Sequence, residues 1–120
     1  MSDDPVVIVG MSRTPMGSFN GVLSDASGPD LGAAAIRAAL ERSGVAPADV
    51  DEVIMGCVLP HGQRQGPARQ AAIFAGIPDA AGATTINKLC GSGMKATMQG
   101  HDALIAGSVD VAVTGGVESM

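Results

Sequence analysis

The chain has 120 residues, of which 12 are acidic and 7 are basic, and its formal net charge is −5. Because lysine and arginine are few and do not cluster, nucleic acid is excluded as a partner. The length fits one domain or part of one, and 46% hydrophobic residues with two Phe and no Trp or Tyr predict a core of Ala, Val, Ile, Leu and Met.

Cysteine usage and the first residues indicate the compartment. Cys57 and Cys90 are the two cysteines, and their spacing suggests neither a metal site nor a disulfide framework, as is typical of a reducing environment. The acidic residues 1–5 are unlike a secretory signal or an Arg-rich transit peptide, and no uncharged apolar run approaches the length needed to cross a bilayer. We therefore expect a cytoplasmic protein with no membrane partner.

The first third of the chain predicts a strand, a loop and a helix. Residues 6–9 form a continuous apolar run that ends at Gly10, which is typical of a strand buried on both faces of a parallel sheet. Residues 11–28 are rich in Gly, Ser, Asn and Asp and predict a long loop. A helix then begins at Pro29 and ends at Gly44, and its predicted buried side consists of Leu31, Ala34, Ala35, Ala38, Ala39 and Leu40.

Strand and helix patterns alternate in the rest of the chain. The apolar run 53–59 predicts a second central strand, and residues 67–76 predict a short helix that begins with proline. Residues 83–86 predict a short strand, a helical pattern follows Cys90, and residues 109–114 predict the last strand. The third helix is predicted to bury Met94, Thr97, Met98, His101, Leu104 and Ile105. The order βαβαβαβ predicts an α/β fold with a mostly parallel central sheet and helices on both faces.

Cys90 lies where the third predicted strand meets the third predicted helix. A helix N-terminus favours a thiolate, because unpaired backbone N–H groups and the helix dipole stabilise negative charge there. Gly91 and Gly93 leave space for a substrate carbonyl to reach the sulfur and for its oxyanion to meet exposed N–H groups. Two interpretations stay open on this ground, a catalytic nucleophile and a buried apolar filler.

Five other side chains have a candidate role beside a structural one. Arg13 is an anion ligand or a solvated arginine, and Cys57 is a second reactive thiol or, in mid-strand, a core residue. His61 lies in a polar loop, and His101 lies about 16 Å along its helix from the candidate nucleophile, which excludes direct activation of that thiol. Both histidines are interpreted as structural. Glu118 is a catalytic acid or a hydrogen-bond anchor that accepts from backbone amides in a turn.

The run around Cys90 resembles a known motif. Residues 87–94, NKLCGSGM, are similar to the acyl-enzyme cysteine motif of thiolases, the acetyl-CoA C-acyltransferase family. One departure is Thr97, where thiolases usually place an aliphatic residue. Three further segments resemble thiolase segments in the same order: 7–9 with 13–17 the first strand and the following turn, 66–72 the second helix, and 115–120 the end of the fourth strand.

The resemblance implies both a reaction and its residues. Cys90 would attack the thioester of an acyl-CoA, form an acyl-enzyme and pass the acyl group to a second acyl-CoA or, in reverse, to CoA. Its backbone N–H would be one oxyanion donor. A coenzyme A thioester is then the substrate, no cofactor or metal is expected, and the role is that of an acyltransferase of fatty acid metabolism. The resemblance assigns the surrounding substrate-binding loop to Asn87, Leu89, Gly91, Ser92 and Gly93.

The resemblance also implies that residues 1–120 are a partial N-terminal domain. The activating histidine, second cysteine and CoA-binding loop of thiolases lie in the later part of a several-fold longer chain, and their motifs are not found in residues 1–120. We therefore expect the isolated chain to be inactive and a full-length parent to be the acyltransferase. A homo-dimer or tetramer, or assembly with a chain that carries the C-terminal half, follows by analogy, with the strand before Cys90 pairing subunits.

Two alternative functions remain from the sequence. One is a non-catalytic acyl- or lipid-binding subunit that keeps the thiolase fold, and Cys90 with its small neighbours argues against it. The other is a decarboxylative ketosynthase-like enzyme, in which a cysteine also takes an acyl group. The segments 87–94 and 115–120 look more like a thiolase than like such a synthase.

Overall fold

Across residues 3–120, which the computed structural model describes, helices alternate with strands. In this part of the chain no helix is both long and apolar enough to span a membrane. The elements in chain order are α1 (Gly28–Ser43), a 3₁₀ turn (Pro47–Asp49), β1 (Glu52–Gly56), α2 (Pro67–Phe74), β2 (Gly82–Ile86), α3 (Ser92–Ile105) and β3 (Ala112–Gly116).

Local capping defines both ends of α1. The Ser27 hydroxyl accepts a hydrogen bond from the Asp30 N–H, and the Asp30 carboxylate accepts in return from the Ser27 N–H. This capping box satisfies two donors at the helix N-terminus that have no intrahelical partner. Gly44 ends the helix with a φ of 72°, a left-handed conformation that costs glycine little. The predicted helix and its glycine cap are confirmed.

Strand β1 lies at the centre of a three-stranded parallel sheet with the order β2-β1-β3. Ile54 pairs with Thr84 of β2 on one side and with Thr114 of β3 on the other. The crossovers through α2 and through α3 run in opposite directions along the sheet, so right-handed connections place these helices on opposite faces. A parallel sheet with helices on both faces is therefore confirmed. Val53 and Met55 of β1, and Cys57 directly after the strand, alternate along the chain and share a core with α1 and α2.

The predicted first strand at residues 6–9 is wrong. The segment pairs with none of the described strands, and residues 7–9 are 72%, 79% and 63% exposed. It runs from Asp4, which contacts His101 of α3, to Gly10, which packs against α1. A β-branched apolar run becomes a strand only where a neighbouring strand supplies a ladder of hydrogen bonds. Within residues 3–120 the order is therefore αβαβαβ rather than βαβαβαβ.

The inward faces of α1 and α3 also differ from the prediction. In α3 the buried residues are small, whereas Met94 and Met98 are exposed. A Cβ on Gly100 would collide with the Thr114 methyl group of β3, so large side chains cannot occupy the face that meets the sheet. The predicted helical spacing is correct in both helices, but the residues that face the core differ from those predicted. The buried residues are Ser92, Ala96 and Gly100 in α3, and Gly28, Pro29, Gly32, Ala33, Ile36 and Leu40 in α1.

Gly56→Ala is expected to lower the free energy of unfolding by about 1–3 kcal/mol. Its methyl group would lie 2.5 Å from the carbonyl carbon of Ser92, so the start of α3 must move. Urea unfolding followed by circular dichroism measures the change. Gly115→Ala is the matched control, because its methyl group would meet the flexible Met55 thioether at 3.4 Å. We expect the control within about 1 kcal/mol of wild type, and equal losses in both variants would contradict a backbone clash.

An exposed ion pair joins the N-terminal segment to α3. The His101 ring lies 2.8 Å from the Asp4 carboxylate and 3.5 Å from that of Asp102. The hydrogen bond to Asp4, followed by that to Asp102, raises the pKa of His101 above 6.5. Hydrogen bonds from the Val6 N–H and from His101 lower the pKa of Asp4 below 3.8.

The sign of each pKa shift gives the pH range of this contact. Stabilisation through His101 is fully present below pH 6.5 and is lost as the pH rises through its raised pKa. Stabilisation through Asp4 is present above pH 3.8 and is lost as the pH falls through its lowered pKa. Because both groups are exposed, solvent screens the pair and its contribution to unfolding is small.

Asp4→Asn is expected to lower the pKa of His101, because the amide is a weaker acceptor and carries no charge. An NMR titration of the imidazole Cε1 proton measures this pKa directly. Asp102→Asn removes the second cause and should give a smaller decrease. An unchanged His101 pKa in Asp4→Asn would show that the two residues are not in contact in solution.

Candidate active site

Cys90 lies at the edge of the sheet where all three strands end. The strands are parallel and end at Gly56, Ile86 and Gly116, so their carboxyl ends share this edge. Open α/β sheets usually bind ligands at that edge. Cys90 lies between the end of β2 and Ser92, the first residue of α3, and it is exposed. Its exposure contradicts the interpretation of Cys90 as an apolar filler.

Glycines at the strand ends allow the start of α3 to approach the sheet. A Cβ on Gly56 would lie 2.5 Å from the carbonyl carbon of Ser92, and a Cβ on Gly116 would lie 3.2 Å from the Gly93 Cα. Side chains at these strand positions would push the helix N-terminus outward. The close contact of glycine backbone with glycine backbone therefore sets the position of the first turn of α3 and of the loop before it.

Side chains at both ends of this loop hold its backbone. The Asn87 side chain accepts from the Leu89 N–H at 2.9 Å and donates to the Val58 carbonyl at 3.3 Å. The Ser92 hydroxyl donates to the Leu89 carbonyl at 2.6 Å and accepts from the Lys88 N–H at 2.7 Å. Leu89 has a φ of 49°, which is uncommon for a residue with a side chain. The four hydrogen bonds stabilise this conformation, which leads the chain into the cysteine.

Backbone donors remain free beside the sulfur. Among residues 3–120, no backbone carbonyl accepts a hydrogen bond from the Cys90 N–H. Helix α3 has no side-chain cap. The Gly91 and Ser92 N–H groups donate to the Lys88 and Leu89 carbonyls, so in the described part of the chain the donors of the first turn without an acceptor are those of Gly93 and Met94. Together with the positive end of the helix dipole, these groups can stabilise negative charge on a thiolate or on a substrate oxyanion.

Cys90 opens into a cleft of about 490 Å³. The walls come from the loop before α1, from α1 itself, from the strand ends and from the loop around Cys90. Arg13 and Glu118 are the charged side chains among the lining residues, and Met16 and Phe19 contribute apolar surface. A cleft of this size lies within the range of small-molecule sites.

Cys57 belongs to the core and is 3% exposed. Burial, followed by the Glu118 carboxylate 3.6 Å from the sulfur, raises the pKa of the Cys57 thiol to about 11. A thiol with this pKa is protonated at neutral pH and is therefore a poor nucleophile. The prediction that Cys57 is a core residue is confirmed.

The two histidines do not join Cys90 in the described part of the chain. His61 is exposed in the loop before α2, and His101 hydrogen-bonds to Asp4. No group of three or more His, Cys, Asp and Glu among residues 3–120 could hold a metal ion. The described residues therefore bring together an exposed thiol and free backbone N–H groups, without a histidine beside them.

Sequence reasoning missed one contributor to the site. The Val58 carbonyl holds Asn87, and the N–H groups of Val58 and Leu59 donate to the Glu118 carboxylate. Every residue except proline has the same backbone groups, so no side-chain signal marked Val58. Of the two roles predicted for Glu118, that of a hydrogen-bond acceptor for backbone amides is confirmed.

Comparison with known proteins relates the chain to one family. A family model described as thiolase, N-terminal domain, matches residues 6–120. An acetyl-CoA acetyltransferase of Cupriavidus necator is 55% identical over 115 residues, which are 96% of this chain and 29% of that protein. A cytosolic acetyl-CoA acetyltransferase of Gibberella zeae is 51% identical over 116 residues, which are 97% of this chain and 29% of that protein.

A solved structure has the same fold. The crystal structure of Acat5 thiolase from Ascaris suum in complex with coenzyme A is similar with a TM-score of 0.83 and 38% identity, over 85% of this chain and 27% of that chain. The chain belongs to the thiolase family and matches its N-terminal domain. It spans about 29% of the length of the curated relatives described above.

Iodoacetamide at mildly alkaline pH is expected to modify Cys90 in the folded chain and to spare Cys57. At pH 8 a thiol with a pKa of about 11 is ionised to only about one part in a thousand, and burial also blocks the reagent. Intact mass and peptide mapping identify the modified residue. The Cys90→Ser variant should stay unmodified until urea exposes Cys57, and rapid modification of that variant without urea would contradict the buried position of Cys57.

Proposed function

We propose that the protein acts as an acyltransferase that forms or cleaves 3-ketoacyl-CoA through an acyl-enzyme on Cys90. The observation that carries this proposal is the exposed Cys90 at the start of α3, whose own N–H has no backbone acceptor among residues 3–120. The thioester of an acyl-CoA is the substrate, and no separate cofactor is required. Support also comes from the relatives, which are named acetyl-CoA acetyltransferases.

The first half of the reaction makes one bond to Cys90 and breaks one bond to CoA. The Cys90 thiolate adds to the carbonyl carbon, and the electron pair of the carbonyl moves to oxygen. The Cys90 N–H and the free N–H groups of the first turn of α3, which begin at Gly93, stabilise this oxyanion. When the intermediate collapses, CoA leaves as a thiolate that takes up a proton, and the acyl group remains on Cys90.

The second half transfers the acyl group to carbon or back to sulfur. In condensation, the deprotonated α-carbon of a second acyl-CoA attacks the acyl-cysteine, which releases the Cys90 thiolate and a 3-ketoacyl-CoA. Thiolysis is the reverse, with CoA as the final acyl acceptor. Asn87, Leu89, Gly91, Ser92 and Gly93 form the loop that surrounds the substrate carbonyl, through their backbone and their small size.

The proton transfers need groups beyond those described here. We infer that a base for Cys90 and a second catalytic thiol belong to a longer parent protein, of which residues 1–120 are a partial N-terminal domain. The share of about 29% of its relatives' length supports this inference. A nucleophile without its base loses most of its rate enhancement, so the isolated 120-residue chain is expected to be far less active than the parent.

The same proposal extends to assembly and location. Exposed apolar side chains on α3, among them Met94 and Ile105, and the exposed run at 7–9 suit contacts with further protein. We propose a homo-dimer or tetramer, or assembly with a chain that carries the C-terminal half. A cytoplasmic role in fatty acid metabolism agrees with the cytosolic relative from Gibberella zeae.

Brief exposure to acetyl-CoA or acetoacetyl-CoA is expected to add one acyl group to the protein, as a thioester on Cys90. Intact mass followed by peptide mapping locates the adduct. Cys90→Ser should give no thioester adduct, because its hydroxyl is a far weaker nucleophile. The 120-residue chain and the longer parent are compared, and acylation is expected to be faster in the parent because the base is present there.

The outcomes separate the candidate functions. A non-catalytic acyl-binding subunit would bind acyl-CoA without a thioester on Cys90. A decarboxylative ketosynthase-like enzyme would require a malonyl thioester for condensation and would release carbon dioxide. The absence of a Cys90 adduct in both the chain and the parent would refute the acyltransferase.

A further inference from the structure

We propose that Glu118 is a positioning residue for Cys90 and acts through the Val58 peptide and the Asn87 side chain. The inference rests on the proposed acyltransferase, in which Cys90 must present its sulfur and its N–H to one carbonyl group. Glu118 follows the end of β3, whereas Cys90 follows β2, and β1 separates these two strands in the sheet. The link between them is therefore formed by side chains and backbone at the strand ends.

The first step of the link is a carboxylate held by two backbone amides. One Glu118 oxygen accepts from the Val58 N–H at 3.0 Å, and the other accepts from the Leu59 N–H at 2.7 Å. Within residues 3–120, Glu118 forms no ion pair with Lys, Arg or His. Hydrogen bonds from amides to a charged carboxylate are stronger than those between neutral groups. Glu118 therefore fixes the chain where it leaves β1.

The second step uses the opposite side of the same residue. Val58 gives its N–H to Glu118, and its carbonyl accepts from the Asn87 amide at 3.3 Å. The Val58 carbonyl and the Leu59 N–H belong to one planar peptide unit. The hydrogen bond from the Leu59 N–H to Glu118 therefore also fixes the direction of the Val58 carbonyl. A shift of Val58 away from Glu118 therefore moves the acceptor on which the Asn87 side chain depends.

The third step reaches the nucleophile. The Asn87 carbonyl oxygen accepts from the Leu89 N–H at 2.9 Å, and Leu89 has the left-handed φ of 49°. Such a conformation persists in a residue with a side chain only when its surroundings hold it. Cys90 is the next residue, so relaxation of Leu89 rotates the Cys90 N–H and sulfur relative to α3. Glu118 and Asn87 thus support the strained turn from one side.

Glutamine cannot replace Glu118 in this link. Two N–H groups need two acceptor oxygens, and an amide offers one oxygen and one NH₂ group. In Glu118→Gln one backbone N–H loses its partner, and that donor faces the new NH₂ group. The alternative to our proposal is that Glu118 only ties the end of β3 to the chain after β1. That purely structural role predicts a loss of stability without a specific effect on Leu89 or on Cys90.

The experiment compares Glu118→Gln with Glu52→Gln, which makes the same charge change at the other end of β1, where Glu52 accepts from the Thr84 hydroxyl. The first measurement is the rate of Cys90 acylation by acetyl-CoA across a range of pH. It uses whichever of the longer parent and the 120-residue chain is acylated faster. We expect Glu118→Gln to slow acylation by about tenfold or more, because a small misplacement of reacting groups has a large effect on rate. Glu52→Gln should stay within about twofold.

The second measurement is hydrogen exchange of the Leu89 amide, followed by NMR. Glu118→Gln should speed this exchange, while amides in the middle of α1 keep their wild-type rates. Asn87→Ala interrupts the same path without touching β3, so it tests the link even where Glu118→Gln lowers stability. In the double variant Glu118→Gln with Asn87→Ala, the fold decrease in acylation rate should be clearly smaller than the product of the two single decreases. Both changes break the same chain of contacts.

Multiplicative effects of the two substitutions on acylation, or an unchanged Leu89 exchange rate in Glu118→Gln, would overturn the positioning role. If wild type forms no acyl group on Cys90, the proposed function fails. The positioning role is then decided by Leu89 exchange alone, with faster exchange in Glu118→Gln supporting it and an unchanged rate refuting it. The two inferences therefore fail on different observations.

Discussion

The contact between the start of α3 and the ends of β1 and β3 is the constraint on which the site depends. Backbone meets backbone there, at Gly56 against Ser92 and at Gly116 against Gly93. A short loop then connects the end of β2 to this helix. The position of Cys90 follows from that geometry, and the dipole of α3 points its positive end at the same place. The packing of α3 against the strand ends thus sets both the position of Cys90 and the direction of the helix dipole beside it.

The two thiols differ in burial, because Cys57 is buried and Cys90 is exposed. Cys57 directly follows β1 and packs in the core with α1 and α2, where a low dielectric disfavours its ionised form. Cys90 lies outside the core, beside backbone donors that favour negative charge. Both thiols lie close to strand ends, so they differ in burial rather than in their distance from the sheet edge. Glu118 contributes to both, since it lies beside Cys57 and holds Val58.

Local signals predicted the elements well, and non-local contacts account for the errors. The Gly44 cap and the placement of Cys90 before α3 depend on neighbouring residues, and both agree with the structure. The strand at 6–9 depends on a pairing partner elsewhere, which composition cannot reveal. The face of α3 was assigned to Met94 and its neighbours because they are apolar, but proximity to the sheet selects small residues. The role of Val58 was invisible because it uses backbone groups alone.

The burial of Cys57 also affects how an oxidised Cys90 can be reduced. Many reactive cysteines that are oxidised to a sulfenic acid are rescued when a neighbouring thiol condenses with them to a disulfide. Cys57 cannot serve as that resolving partner in the folded chain, because it is packed in the core and protonated. A sulfenic acid on Cys90 therefore depends on a thiol from outside residues 3–120 for reduction before it passes to the irreversible sulfinic acid.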